Sequence, residues 1–324
     1  MKKIVIADYE NALEADYGIT IESIQKALGE PVDVTIYAYE DQGKFLEVME
    51  DADGLVTGFL EMDEDIFRAC PNLTCVSVSG VGYSNIDVVS AKAHGVAVCH
   101  IREYCTQEVA EHAISLMCTL NRNLKYYDHK INEDKEWQYF SIEGNPNLSS
   151  QTLAIFGLGK IGRRVASIAS AFGMQVLAVD PYAAVHGLVD GVTFVEPEEA
   201  LEQADVITNH MNLTEENRHF FNADTFAQMK RTPIFINVGR GGSVDEEALV
   251  DALDRGLIRG AGIDVLEAEN PDLVHCKLLG RTNVVLTPHS AFYGRESIEK
   301  LQSISGANLG YFLAGKNEEI AELV

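Results

Sequence analysis

The 324-residue sequence is short of positive charge: 25 lysines and arginines stand against 50 aspartates and glutamates, a formal net charge of −25. A surface of that sign repels polyanions, which excludes nucleic acid and anionic membranes as partners. It also means that a site for an anionic substrate must carry its own, locally placed cations. Paired cysteines are missing too. The six present (Cys70, Cys75, Cys99, Cys105, Cys118 and Cys276) contain no C-x-x-C pair and mostly sit in apolar runs. They read as reduced, buried thiols of a cytosolic chain, with no metal site among them. No apolar run approaches membrane-spanning length. In MKKIVIADYE the apolar stretch before Asp8 is too short for the core of a signal peptide. The expectation is a soluble, cytoplasmic protein, without internal repeats, low-complexity tracts or disordered linkers.

Against these absences stands the stretch 151–180, QTLAIFGLGKIGRRVASIASAFGMQVLAVD. An apolar strand (152–156) runs into three glycines, Gly157, Gly159 and Gly162. A helix follows with Ile161, Val165, Ile168 and Ala169 at helical spacing, then a second apolar strand ending at Asp180. Strand, G-x-G-x-x-G turn, helix, strand and terminal acid make up a dinucleotide-binding unit. The first glycine permits the tight turn, the second lets the backbone approach a pyrophosphate, and the third lets the helix pack close to the sheet. The positive end of the helix dipole then faces the phosphates. A bare G-x-G-x-x-G is weak evidence; here every flanking part falls where the mechanism requires it.

The remainder alternates strands and helices at a spacing that argues for parallel sheets. Strands are expected at 3–8, in VDVTIYA, at 54–58, 73–80 and 96–100, so residues 1 to about 100 form a small α/β domain of their own. A long helix pattern runs from Thr106 to about Lys130, with Val109, Ala113, Leu116, Met117 and Leu120 as one apolar stripe. Loop material with the single tryptophan, Trp137, leads to the glycine turn. Further strands are expected in ADVITNHM, PIFINVG, IRGAGIDV and NVVLTPH, and a closing helix at 295–313. Gly157, Asp180, His210, Arg240, Asp264 and His289 all lie at or just past strand carboxyl ends, where open α/β sheets bind ligands.

Three of these segments can carry chemistry. Arg240, among glycines in INVGRGGSVDEEAL, can bind a carboxylate bidentately; spacing alone equally allows an arginine capping the next helix. His289, in TPHSAF, follows a strand and a stiffening proline, and histidine is the usual proton donor near neutral pH, although a lone histidine is more often structural. A carboxylate beside it would orient the imidazole and favour its charged form. Glu269 and Glu267, both in DVLEAEN, qualify, and spacing does not choose between them. Asp180 can accept hydrogen bonds from ribose hydroxyls and would repel a 2′-phosphate. Pro181 and Tyr182 follow it, with no arginine to receive one, so NAD is expected rather than NADP.

GLGKIG (157–162), INVGRGGSVDEEAL (236–249), GIDVLEAENP (262–271) and TPH (287–289) together resemble the D-isomer-specific 2-hydroxyacid dehydrogenases. SGVGYSNIDVVSAKAHGVAV (79–98) and YCTQEVAEH (104–112) match the same family's upstream segments, so the resemblance spans nearly the whole chain. It implies two doubly wound α/β domains with a cleft between them. The flavodoxin-like substrate domain would comprise 1–100 plus 291–324, and the Rossmann NAD-binding domain 101–290, whose first long helix would support a homodimer. It also implies NAD-dependent hydride transfer between a 2-oxo acid and a D-2-hydroxy acid. The catalytic trio would be Arg240, Glu269 and His289, the resemblance choosing Glu269 over Glu267. Cofactor binding would fall to Gly157, Gly159, Lys160, Ile161, Gly162, Asp180, Val238, Gly239, Arg240 and Asp264, with Asp264 meeting the nicotinamide carboxamide. Substrate binding would fall to Gly80, Val81, Gly82, Arg240 and Tyr104, the glycine-rich turn offering main-chain amides to a carboxylate.

The chain departs from the family pattern at Asn212, where many members have the proline of an H-x-P-L-T segment, at Ser84, and in HIREYC (100–105). There Arg102 offers either a cation for the far end of an acidic substrate or a solvated hinge residue. Tyr104 and Phe292 read equally as pocket walls or as ordinary packing. TPHSAFYG with Asn212 also has features of the family's C-terminal-binding corepressors, so the alternative function is an NAD-sensing binding protein of the same fold.

Overall fold

The inner β-branched runs become strands buried on both faces, as parallel sheets require. The computed structural model describes residues 1–13, 16–182 and 189–324, and the chain divides into two units, Met1–Tyr104 with Gly294–Val324, and Cys105–Tyr293.

In the first unit, β1 (Lys2–Tyr9), α1 (Gly18–Leu28), β2 (Val32–Tyr39), α2 (Gln42–Met49), β3 (Gly54–Thr57), α3 (Glu64–Ala69), β4 (Cys75–Val78), α4 (Val88–Ala93) and β5 (Ala97–His100) alternate along the chain. The strands pair in the order β2-β1-β3-β4-β5, all parallel, which is the flavodoxin-like order. Asp41, Asp63 and Asp87 start α2, α3 and α4 by accepting main-chain N–H bonds, each cap contributing about 1 kcal/mol.

The second unit opens with α5 (Thr106–Asn121) and α6 (Leu124–Asn132). The expected continuous helix is therefore two: Asn123 takes a left-handed φ of 54° and ends the run, a conformation asparagine tolerates better than most residues. The predicted stripe on α5 is buried throughout. Then come β6 (Thr152–Phe156), α7 (Lys160–Ala171), β7 (Gln175–Val179), β8 (Val192–Phe194), α8 (Pro197–Gln203), β9 (Val206–Asn209), α9 (Ala223–Ala227), β10 (Ile234–Asn237), α10 (Glu246–Asp254), β11 (Gly260–Ile263) and β12 (Val284–Leu286). All seven strands are parallel, in the order β8-β7-β6-β9-β10-β11-β12. The first six in chain order give the 3-2-1-4-5-6 arrangement of dinucleotide-binding domains, reversing direction between β6 and β9. Phe156, Phe221, Phe226 and Phe235 sit in its core, fully buried. β8 and α8 have no counterpart among the expected elements: three residues are too few to show a period.

The chain then returns to the first unit as α11 (Arg295–Leu313) and β13 (Glu322–Leu323), the latter antiparallel to β5. Gly306 and Gly310 let α11 lie against α1; a Cβ at either would stand 2.4 or 2.5 Å from the Thr20 or Ile24 carbonyl oxygen. The six cysteines are all free, four of them buried, and burial pushes the Cys70, Cys75 and Cys118 thiols up. Among the described residues no helix is long and apolar enough to cross a membrane, and no cluster of side chains suits a metal ion.

Candidate active site

The functional side chains share one edge because the sheet is parallel and each follows the carboxyl end of a strand. A ladder of main-chain bonds runs along that edge. It joins Gly157 N to Val179 O, His210 N to Phe156 O, Val238 N to Asn209 O, Asp264 N to Asn237 O and His289 N to Asp264 O.

At the switch point between β6 and β9, the three glycines meet three different demands. Gly157 has a φ of +90°, and a Cβ there would stand 2.8 Å from the backbone of His210 and Met211. A Cβ on Gly162 would come within 2.2 Å of the Gly157 oxygen, so α7 can approach the turn only with hydrogen at this position. Around Gly159, by contrast, no atom lies within 4 Å of where a Cβ would point. Gly159 is also the N-cap of α7 and supplies no side-chain cap. Open space beside a helix N-terminus without a side-chain cap suits a pyrophosphate, so these residues fit a dinucleotide. The Asp180 carboxylate, at the end of β7, accepts the Leu158 N–H at 2.7 Å and the Tyr182 N–H at 2.9 Å, which places it against the same turn.

Arg240 follows β10, and its backbone is pinned from beneath. Asn237 Nδ2 and Ser243 Oγ donate to the Arg240 carbonyl at 3.1 and 2.7 Å, while Asn209 Nδ2 donates to both Asn237 Oδ1 and Ser243 Oγ. All three supporting side chains are fully buried, so the network is satisfied and rigid. Sequence reasoning missed it. Its signal was present in two apolar strands, VITN and IFIN, that both end on asparagine. Gly241 lies so close to the 264–269 loop that a Cβ would overlap the Leu266 oxygen at 1.8 Å.

That loop separates the two glutamates. Glu269 Oε2 lies 2.7 Å from His289 Nδ1. Glu267 turns the other way: its Oε1 accepts the Glu246 N–H, Glu246 returns the bond to the Glu267 N–H, and Oε2 lies 3.3 Å from His219 Nε2. Asp264 is buried beside His289. Its side chain is 1% exposed and its oxygens accept from Thr287 Oγ1, Ser290 N and Ala291 N at 2.5, 2.9 and 3.0 Å. A carboxylate so enclosed and engaged holds the turn carrying His289. His210 is half-buried as a residue, but its Nδ1 is enclosed without a partner among the described residues. Burial pushes its pKa down to about 3, so it is neutral.

In the first unit, β4 runs into the turn holding Gly80, Val81 and Gly82. Among the described residues, none of their amides donates a hydrogen bond, while the Gly80 carbonyl accepts from Ile101 N. Tyr104 is 8% exposed. Arg102 does not stand as a lone cation: its Nε lies 3.1 Å from Glu322 Oε1 on β13. The Phe292 ring stands edge-on to the His289 imidazole, with centroids 6.1 Å apart.

A dinucleotide turn, an anchored arginine and a carboxylate-paired histidine on one sheet edge define a nicotinamide-dependent dehydrogenase. Residues 114–291 match the family described as D-isomer specific 2-hydroxyacid dehydrogenase, NAD binding domain. A hydroxypyruvate reductase of Blautia hydrogenotrophica is 34% identical over 90% of this chain and 91% of its own. A glycerate dehydrogenase of Methylorubrum extorquens is 34% identical over 86% and 88%. The structure of a D-lactate dehydrogenase from Aquifex aeolicus, complexed with NAD and lactic acid, superposes with a TM-score of 0.84 at 27% identity, covering 98% of this chain and 97% of that one. The chain belongs to the D-isomer-specific 2-hydroxyacid dehydrogenase family and is an NAD-dependent oxidoreductase acting on small 2-hydroxy or 2-oxo acids.

Proposed function

We propose that this enzyme reduces a small 2-oxo acid to its D-2-hydroxy acid, with His289 as acid–base catalyst, Glu269 as its partner and Arg240 as the substrate's carboxylate ligand. The single observation that carries the reading is the 2.7 Å contact between His289 Nδ1 and Glu269 Oε2. With Nδ1 committed to the carboxylate, the proton is delivered to the carbonyl oxygen through Nε2, and Glu269 stabilises the imidazolium form. NAD supplies or accepts the hydride when bound. Gly159, Lys160 and Ile161 would hold its pyrophosphate, with Val238, Gly239 and Asp180 flanking it, and Asp180 would select NAD over NADP by repelling a 2′-phosphate. Arg240 neutralises the substrate's charge within a chain of net charge −25; the buried asparagine network holds its main chain, and its guanidinium donates to the Gly239 carbonyl at 2.9 Å. The amides of Gly80, Val81 and Gly82 are further candidate substrate contacts, and we infer that the first unit is the substrate domain and the second the NAD domain.

Names of relatives point to hydroxypyruvate, glycerate and lactate chemistry. The test is therefore a panel of glyoxylate, hydroxypyruvate, pyruvate and larger branched or aromatic 2-oxo acids with NADH, read as loss of NADH absorbance. Turnover of one or more supports the reading. No turnover of any acid, with NADH still bound, would favour the corepressor-like alternative. We also infer a homodimer built on the second unit and residing in the cytoplasm, in keeping with the free thiols. Trp137, Tyr139 and Phe140 are 87%, 84% and 68% exposed in the segment after α6, an apolar cluster of the kind that marks protein contacts. Light scattering on the wild type and on a triple serine variant of these residues tests it.

A further inference from the structure

His289 adopts a left-handed backbone, with φ at +50°, which a non-glycine residue keeps only where its surroundings over-determine it. Those surroundings are local on one side: His289 N donates to Asp264 O at 2.8 Å and to Thr287 O at 3.0 Å. On the other side they reach a residue 177 positions away that carries none of the chemistry assigned above. His112, on α5, places Nε2 2.9 Å from Thr287 Oγ1 and 3.6 Å from Asp264 Oδ1.

The direction of this chain of bonds follows from counting protons. Asp264 is an acceptor, and Thr287 Oγ1 donates its one proton to Oδ1 across 2.5 Å. The threonine oxygen then has only lone pairs to offer, so His112 Nε2 must carry hydrogen and donate. His112 thus feeds Thr287, Thr287 feeds Asp264, and Asp264 holds the main chain of Ser290 and Ala291 immediately after His289. The turn is clamped on both sides of the histidine.

We propose that His112 is a positioning residue for His289, acting through Thr287 and Asp264 to fix the imidazole where it exchanges its proton with the substrate. The inference rests on the reading of His289 as the acid–base group. It follows that a hydrogen-bond donor is required at position 112, and that residues 112 and 287 act as one device.

The experiment uses full-length enzyme, NADH and the 2-oxo acid of the panel turned over fastest. His112→Ala should lower kcat about tenfold to a hundredfold, the scale of a catalytic group misplaced by an ångström, while the KM for NADH and the thermal midpoint stay near wild type. His112→Gln, which restores an N–H donor, should recover most of the loss. Thr287→Val should lose about as much as His112→Ala, and the double variant little more than either, because both cut the same chain. A wild-type kcat in His112→Ala, a glutamine no better than alanine, or fully additive losses would overturn the proposal. If His112→Ala fails to fold, the comparison of His112→Gln with Thr287→Val and Thr287→Ser carries the test: only the valine should lose kcat, and equal losses refute it. His289→Asn separates the two readings. Retained turnover in that variant removes both; abolished turnover with wild-type kcat in His112→Ala removes only the inference about position 112.

Discussion

Acidification should destabilise this protein through one histidine, His210, and the size of the effect can be worked out. Its Nε2 lies 3.0 Å from Thr208 Oγ1, its Nδ1 is enclosed without a partner among the described residues, and its main chain abuts the Gly157 turn. Burial lowers its pKa from 6.5 to about 3. The folded value is therefore the depressed one. Above pH 6.5 neither state binds the proton and nothing is lost. Below it the unfolded chain takes up a proton that the folded chain refuses, so stability falls as the pH falls, until the folded pKa is reached. The slope is about 1.4 kcal/mol per pH unit, so that between about pH 7.5 and about pH 4.5 this group alone removes on the order of 3 kcal/mol. Many carboxylates titrate in the same range, and the comparison must be differential. The perturbation is His210→Asn, which keeps a polar group toward Thr208 and removes the titration. Denaturant unfolding of both proteins, followed by circular dichroism and extrapolated linearly at each pH, should show the wild type losing about that much more than the variant. Parallel pH dependences would refute the reasoning, since an imidazole that protonates freely in the folded state contributes no such difference.

Gly162→Ala should cost about 1–3 kcal/mol of stability and weaken NADH binding, because its Cβ meets the Gly157 oxygen at 2.2 Å and one of the two must move; thermal melting and NADH titration check it. Glu269→Gln should keep the fold and NADH affinity but lower kcat by about tenfold to a thousandfold, the worth of a charge-assisted partner to an acid–base group; unchanged kcat removes Glu269 from the mechanism. Wild-type enzyme should prefer NADH to NADPH in kcat/KM, and Asp180→Ala should narrow that preference by removing the repelling carboxylate. A wild-type preference for NADPH sinks the role given to Asp180.

The glycine turn was legible in the sequence because what it demands is local. A positive φ at Gly157 and clearance at Gly162 leave no side-chain alternative, so the motif can be read without knowing what surrounds it. The carboxyl-end positions of Arg240, Asp264 and His289 were legible for the same reason, as each closes an apolar run. The division of the Thr106-to-Lys130 helix was not, because it rests on the left-handed φ of one residue, Asn123, between two runs that each form a helix. Nor did spacing separate Glu267 from Glu269: they stand two residues apart, and their partners, Glu246 and His289, come from opposite sides in sequence.

What the sequence determined by itself is thus most of the strands, the dinucleotide fingerprint at 157–162 and the candidate chemistry at three strand ends. Tertiary structure alone decided how those groups are held. It paired His289 with Glu269, set Asp264 as an anchor of the 287–291 turn, and brought His112 within 2.9 Å of Thr287 across 175 residues of chain. It also buried Asn209 and Asn237 beneath Arg240. The physical reason is the reach of the interactions: backbone geometry is set by a residue and its neighbours, whereas a hydrogen bond between side chains exists only once packing has brought its two ends together.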